Sequence, residues 1–353
     1  MANCNHLFHH YNAAIRLTDD KRQTLMRERD SLRQRMNSGF NLLSYEQKNG
    51  HLLEFYSQGS FVMDTIITPL NDDFDLDDGV YFRGSLNEEE RPEPQFFHDL
   101  VIKAITTPGD FKKIEDKDTC VRVSSRSGFH IDLPIYYAEK TECPDLAHLK
   151  QGWILSNPIE FIEWFEQHAK SGFDRAFLYE TRLFAEKYAK WQEDIRKQDC
   201  QLRRIVRYMK AWADLRKGEM PCGIIMTILA TENYSEDAND DIAFKNTLIK
   251  VRAYLQKNGI KCPRPTTPKG EDLFASTSDT KKQYFMSALN TLIESAEKAF
   301  AATNEKDACL EWQKHLGGRF PCHLAKDTSK QKEQSDAALK RTAAVSVPWS
   351  KNN

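Results

Sequence analysis

The run Phe129-His130-Ile131-Asp132-Leu133-Pro134-Ile135-Tyr136-Tyr137 constrains this chain more than any other stretch. It reads as a strand whose neighbours are apolar or aromatic, with Cys120-Val121-Arg122-Val123 as its hairpin partner and a turn near Ser127-Gly128. A lone aspartate between Ile131 and Leu133 is costly to bury unless it binds something. Two readings stand side by side. Asp132 caps a turn or pairs with Arg122 or Arg126, or it joins other carboxylates at a site.

Those carboxylates are Asp75 and Asp77, separated by Leu76. Residues two apart on a strand project from one face, so the two acids converge while Leu76 packs inward. Like charges held close are costly unless a cation neutralises them. Two magnesium ions about 3.5–4 Å apart would do so, and manganese is a substitute. The alternative is a solvated acidic loop, because Asp72, Asp73, Asp75, Asp77 and Asp78 form one acidic run. Asp132 on a neighbouring strand weighs against that alternative. It would complete a cluster of three metal ligands and act as general base for a sugar hydroxyl. Upstream, Gly59-Ser60 falls at a strand-to-helix junction, where a glycine lets backbone approach a phosphate and the next N–H groups seat an anion. Alone it reads equally as a simple turn.

The wider pattern predicts an α+β chain. Residues 9–38 read as one long amphipathic helix with Arg27, Arg29, Arg33 and Arg35 on its wet side. Strand-type periods follow, broken by a helix over 94–106. Helices dominate after residue 150, at 158–170, 178–197, 200–216, 222–233, 239–257 and 280–302, with Gly218 among the caps. Cys262-Pro263-Arg264-Pro265-Thr266-Thr267-Pro268 predicts a fixed extended loop. The expected division is 1–150, 151–324 and a mobile polar tail over 325–353.

Formal net charge is −2, which argues against a grip on long nucleic acid. No run approaches the roughly 18 apolar residues of a membrane span, and the N-terminus has no signal-peptide pattern, so a cytoplasmic protein is expected. The eight cysteines show no CxxC pair and read as reduced thiols. Cys309, His315, Cys322 and His323 are too loosely spaced for a zinc site. Trp153, Trp164, Trp212 and Trp312 read as packing residues. Arg203, Arg204, Arg207, Arg216 and Lys217 read as a solvated basic helix face or as a steering patch for triphosphates.

The order and spacing of these motifs carry a resemblance. Gln58-Gly59-Ser60-Phe61, Asp75-Leu76-Asp77-Asp78-Gly79-Val80-Tyr81 and His130-Ile131-Asp132-Leu133-Pro134-Ile135-Tyr136 resemble the polymerase-β nucleotidyltransferase superfamily, and within it the bacterial cGAS/DncV-like enzymes called CD-NTases. The likeness runs through Trp153–Pro158 and Leu202–Trp212. It implies a mixed-sheet catalytic lobe with an N-terminal spine helix, a helical lobe, and an active site in the cleft between them. It implies that Gln58, Gly59 and Ser60 meet the donor nucleotide, that Asp75, Asp77 and Asp132 hold two magnesium ions, and that Lys210 reaches the triphosphate. It further implies that nucleoside triphosphates, ATP among them, are joined into a cyclic di- or trinucleotide. In the family that product activates a separate effector in anti-phage defence, with a CBASS accessory protein as a further partner. One departure stands out: where the family has a serine after a proline, this chain has Pro221-Cys222-Gly223. A helix-opening row of backbone N–H groups would have to replace that hydroxyl. Ser156 and Asn157 are candidates to meet a base, although Asn157 before Pro158 also reads as a helix cap. Two other classes stay open, namely a transferase that tails RNA or adds AMP to a protein, and a silent nucleotide-binding protein.

Overall fold

The computed structural model describes residues 2–44, 48, 50–86, 89–106, 113–125, 128–139, 144–178, 182–216 and 220–327. Arg126, Ser127, Cys143, Lys217, Gly218 and the tail beyond residue 327 lie outside them.

The segment predicted as one spine helix is two helices, α1 (Asn5–Ile15) and α2 (Asp19–Leu42). Arg16 adopts extended backbone, and the Thr18 side chain accepts from the Lys21 N–H, followed by Asp19 and Asp20 in the first turn. That is a helix start, and the acids favour it against the dipole. The break lets the two helices serve different cores. Leu7, Phe8, Tyr11 and Ile15 of α1 pack among the later helices, where Phe8 meets Tyr208, Trp312 and Phe320 edge-on. Leu25, Leu32, Met36 and Phe40 of α2 instead cover the sheet.

The sheet holds β1 (Leu52–Gln58), β2 (Asp75–Arg83), β3 (Lys113–Asp116), β4 (Cys120–Ser124), β5 (His130–Ala138), β6 (Asp145–His148) and β7 (Gly152–Leu155). Five strands run β1-β2-β5-β4-β3, and the β6–β7 hairpin extends from β5 past residue 150. Only the β2–β5 pair is parallel among the described strands. A one-turn helix, α3 (Gly59–Val62), follows β1, and α4 (Pro94–Thr106) backs the sheet beside α2.

The helical part comprises α5 (Pro158–Ala169), α6 (Arg182–Gln198), α7 (Gln201–Asp214), α8 (Gly223–Glu232), α9 (Asp240–Asn258), α10 (Asp279–Ala301) and α11 (Glu305–Leu316). The last was not anticipated. Trp212 and Trp312 are fully buried, as packing residues should be. No helix among the described residues is long and apolar enough to cross a membrane.

Two further sequence expectations are overturned. Cys309 and Cys322 form a disulfide, because the chain folds back after α11 and brings their Cα atoms to 5.5 Å. Among the described residues five further cysteines are free thiols, with Cys4, Cys120 and Cys262 buried. The arginines assigned to wet helix faces are also largely inside. Arg29, Arg33, Arg203 and Arg207 are all buried; Arg33, Arg203 and Arg207 each face a carboxylate or carbonyl from a distant segment, while Arg29 pairs with the neighbouring Asp30 and donates to the Ser57 hydroxyl. Helical spacing locates a face but says nothing of the acid waiting opposite it.

Candidate active site

The strand register assembles the site. Gln58 of β1 lies opposite Asp77 of β2, Asp77 opposite Asp132 of β5, and Asp132 opposite Arg122 of β4. Residues paired across a ladder share a face, so these four form one row over four strands. Asp75, two residues before Asp77, joins the same face. The acidic run therefore divides. Asp75 and Asp77 face the site, whereas Asp78 turns to the other face and is fully buried.

Asp78 is held there by α2. Arg33 donates from Nε to Oδ2 at 2.7 Å and from Nη2 to Oδ1 at 2.5 Å, Ser57 donates to Oδ1 at 3.1 Å, and Arg29 donates to the Ser57 hydroxyl at 2.9 Å. Ser57 and Asp78 are themselves paired across β1 and β2, directly beside the Gln58–Asp77 pair. The charged network thus pins the two strands from behind, at the step that carries the site.

Gly59 begins α3 with φ +67°, and a Cβ built on it would stand 2.3 Å from Asp77 Oδ2. Only glycine fits this approach and this backbone. Past α3, Asp64 adopts φ 48° and is almost fully buried. Arg16, Arg22, Arg196 and Arg207 converge on it, with Arg196 at 2.7 Å, and together these guanidiniums hold its carboxyl below the ordinary range despite burial. The next residue, Thr65, presents its carbonyl at 3.2 Å and its hydroxyl at 3.4 Å to Lys210 Nζ on α7. Arg207 of the same helix also donates to the Asp64 carbonyl at 2.5 Å. The turn after Gly59-Ser60 is thereby tied to the helices that carry Lys210.

The carboxylates are electrostatically crowded. Burial, then Asp75, then Asp132 push Asp77 well above the usual aspartate range, and burial with Asp132 raises Asp75. Asp75 stands open at the edge of the cleft, so water screens its rise more than that of the deeper Asp77. Lys210 is lowered to about 8 by burial, against the pull of Asp75 and Asp77. Lys210 is only partly buried and lines the cavity, so the shift reflects a crowded wall rather than a sealed core. Asp132 receives a two-pronged bond from Arg122, Nε to Oδ1 and Nη2 to Oδ2, both at 2.7 Å. Asp132 thus pairs with Arg122, one of the partners the sequence offered, and also sits in the row beside Asp77.

Among the described residues no three His, Cys, Asp or Glu side chains are close enough to enclose a metal ion. That donor set still suits magnesium, which is commonly bound by one or two carboxylates plus substrate phosphates rather than by a protein cage. Asp75 and Asp77, each raised by its neighbours, are a pair that a divalent cation would relieve.

Two cavities meet at Ser60, Asp75, Lys210 and Gly223. One, about 370 Å³, extends past Gln58, Gly59 and Asp77 to Ser156, Asn157, Phe161, Thr227 and Arg264. The other, about 380 Å³, runs past Ile67, Phe74 and Met226. Gly223 opens α8 beside the Lys210 stem, where a Cβ built on it would stand 3.5 Å from Lys210 Cε, and Cys222 gives that helix no side-chain cap. Asn157 does act as a cap, its side chain accepting from the Glu160 N–H at 3.1 Å. His315 of the discounted zinc group hydrogen-bonds Ser295 and Arg216 instead. A larger cavity of about 710 Å³ between α2 and α6 reaches β1 only at Ser57, on the face opposite Gln58. Sequence reasoning missed Asp64, Thr65, Arg33 and Asp78. The one local signal was Asp78 at the end of the acidic run, on the inward phase of the strand.

Comparison with known proteins bears on the same residues. Residues 53–136 match the family model described as cyclic GMP-AMP synthase DncV-like, nucleotidyltransferase domain, and residues 199–327 match the cyclic GMP-AMP synthase C-terminal domain. A cyclic GMP-AMP synthase of Escherichia coli strain TW11681 is 26% identical over 304 residues, 75% of this chain and 67% of that protein. A c-di-GMP synthase of Roseivirga ehrenbergii is 25% identical over 262 residues, covering 68% of this chain and 66% of its own length. The chain thus spans about two thirds of these curated relatives. The Vibrio cholerae DncV cyclic AMP-GMP synthase structure with nonhydrolyzable GTP superposes with a TM-score of 0.69 at 20% identity, covering 91% of this chain and 97% of that one. The same enzyme with the linear intermediate 5' pppA(3',5')pG gives 0.70 at 20% identity, covering 92% and 99%. At that identity the likeness speaks for the fold.

Proposed function

Because the chain belongs to the bacterial cGAS/DncV-like nucleotidyltransferase family, we propose that it condenses nucleoside triphosphates into a cyclic dinucleotide second messenger and releases pyrophosphate. The observation that carries the reading is the row Gln58–Asp77–Asp132 across three strands, facing Gly59-Ser60 with Lys210 on the opposite wall.

The chemistry follows from these positions. Ser60, the N–H groups opening α3 and α8, and Lys210 hold the donor triphosphate. An acceptor ribose hydroxyl approaches Asp132, which takes its proton once Arg122 gives up at least one of its two bonds. The hydroxyl oxygen bonds to the donor α-phosphorus as the link to the bridging oxygen breaks, and pyrophosphate leaves against Lys210. Two magnesium ions held by Asp75 and Asp77, with Asp132, would supply charge neutralisation across the phosphates and activation of the hydroxyl. A second transfer in the opposite sense closes the ring. Within this reading the helices from residue 151 close over the nucleotides, the protein works in the cytoplasm, and the product reaches a separate effector in antiviral defence.

The test is to incubate the protein with labelled ATP, GTP, CTP and UTP plus magnesium or manganese, add phosphatase, and identify survivors by mass spectrometry. A phosphatase-resistant cyclic product that Asp75→Asn/Asp77→Asn fails to make supports the proposal. Linear tails, or labelled protein, would replace it with a different transferase.

A further inference from the structure

Arg264 is the second cation in the nucleotide cavity, and the reaction above leaves it without a task. It belongs to the proline-rich loop between α9 and α10, which is firmly held. Pro263 bridges Asp272, Cys262 N–H bonds Asp272 at 2.9 Å, and Thr267 N–H bonds Glu160 of α5 at 3.1 Å, just beyond the Asn157 cap. Glu271 accepts from Arg264 Nε at 2.7 Å. Nη1 and Nη2 meet no hydrogen-bond partner among the described residues, so a two-donor fork is left unbonded on a residue that lines the cavity.

Its place favours a base over a phosphate. The phosphate-binding groups Ser60, Lys210 and Gly223 are common to both cavities, whereas Arg264 lines only the one that also holds Phe161 and Asn157. A nucleotide with its triphosphate on the shared groups extends its base toward Phe161, an apolar wall for a ring, and toward the fork. A guanidinium fork matches two adjacent acceptors, as guanine O6 and N7 provide. Adenine offers N7 beside an amino donor, which would face an N–H of the fork. The usual partner of adenine is a free asparagine amide, and the Asn157 carbonyl is engaged by Glu160.

We propose that Arg264 is a specificity-determining residue that reads the O6/N7 edge of guanine, making this compartment a seat for GTP. The inference rests on the nucleotidyltransferase reading for the placement of the triphosphate. The test measures equilibrium binding of nonhydrolysable GTP, 7-deaza-GTP and ATP analogues to the full chain with magnesium, in wild type, Arg264→Gln and Arg264→Lys. Wild type should prefer GTP over both others. Each variant should lose roughly tenfold or more in GTP affinity while holding ATP within about twofold. The lysine variant is informative because it keeps the charge and loses the fork. Equal losses for GTP and ATP would make Arg264 a phosphate contact and overturn the proposal, as would no loss or full retention by lysine. Failure of wild type to bind any triphosphate would instead sink the nucleotidyltransferase reading. Thermal melts of both variants verify that they fold.

Discussion

Gly59 and Gly172 share the same positive φ, +67°, in different surroundings. A Cβ at Gly172 meets nothing within 4 Å, whereas at Gly59 it would stand 2.3 Å from Asp77 Oδ2. Alanine at either position imposes a left-handed conformation costing about 1–2 kcal/mol, since side chains with a Cβ clash there. Both variants should therefore lose similar stability, visible as a melting-temperature drop of a few °C. Only Gly59→Ala forces a second change, because the Asp77 carboxylate must retreat by roughly 1 Å to reach an ordinary contact distance. A misplacement of that size at a reacting centre costs on the order of a hundredfold in rate, or about 2.7 kcal/mol of transition-state stabilisation. The assay compares cyclic-product formation and thermal melts for wild type, Gly59→Ala and Gly172→Ala. Gly172→Ala should stay within about twofold of wild-type activity. If the two variants lose activity equally, or if Gly59→Ala stays active, close approach to Asp77 is not what the glycine provides.

Raised acids stabilise a fold at low pH and lose that contribution as pH climbs through their folded values. Asp77→Asn, freed of that penalty, should melt higher than wild type in chelator at pH 7.5, with the gap closing as pH falls; differential scanning across pH 4–8 measures it. Lys210 binds phosphate only when protonated, so triphosphate affinity should fall as pH rises through about 8, and calorimetry on Lys210→Met should show that slope removed. Arg33→Met strands the buried Asp78 carboxylate and should cost about 3–5 kcal/mol in urea unfolding, while Arg33→Met/Asp78→Leu should recover most of it. Cys309→Ala/Cys322→Ala opens a 13-residue loop and should cost about 3 kcal/mol, with thiol alkylation and intact mass showing two fewer protected sulfurs.

The sequence alone determined which residues share the face of the candidate site. Period-two spacing put Asp75 and Asp77 on one face, the apolar run placed Asp132 within a strand, and Gly59-Ser60 marked the turn that faces them. Each is a local rule, carried by residues within a few positions of one another. Lys210 needed the resemblance, because a single lysine on an amphipathic helix has no local signature. What only the tertiary structure decided is the pairing of charges far apart in the chain. Asp64 collects Arg16, Arg22, Arg196 and Arg207 from four separate places, and Arg33 finds Asp78 across 45 positions. Helical spacing assigned some of those arginines to water, since a charged side chain is normally solvated unless an opposite charge is buried with it. The disulfide follows the same logic, because two cysteines become partners only when the fold brings their Cα atoms within bonding reach. Local patterns decide which face a residue takes, and the packing of those faces decides what it meets there.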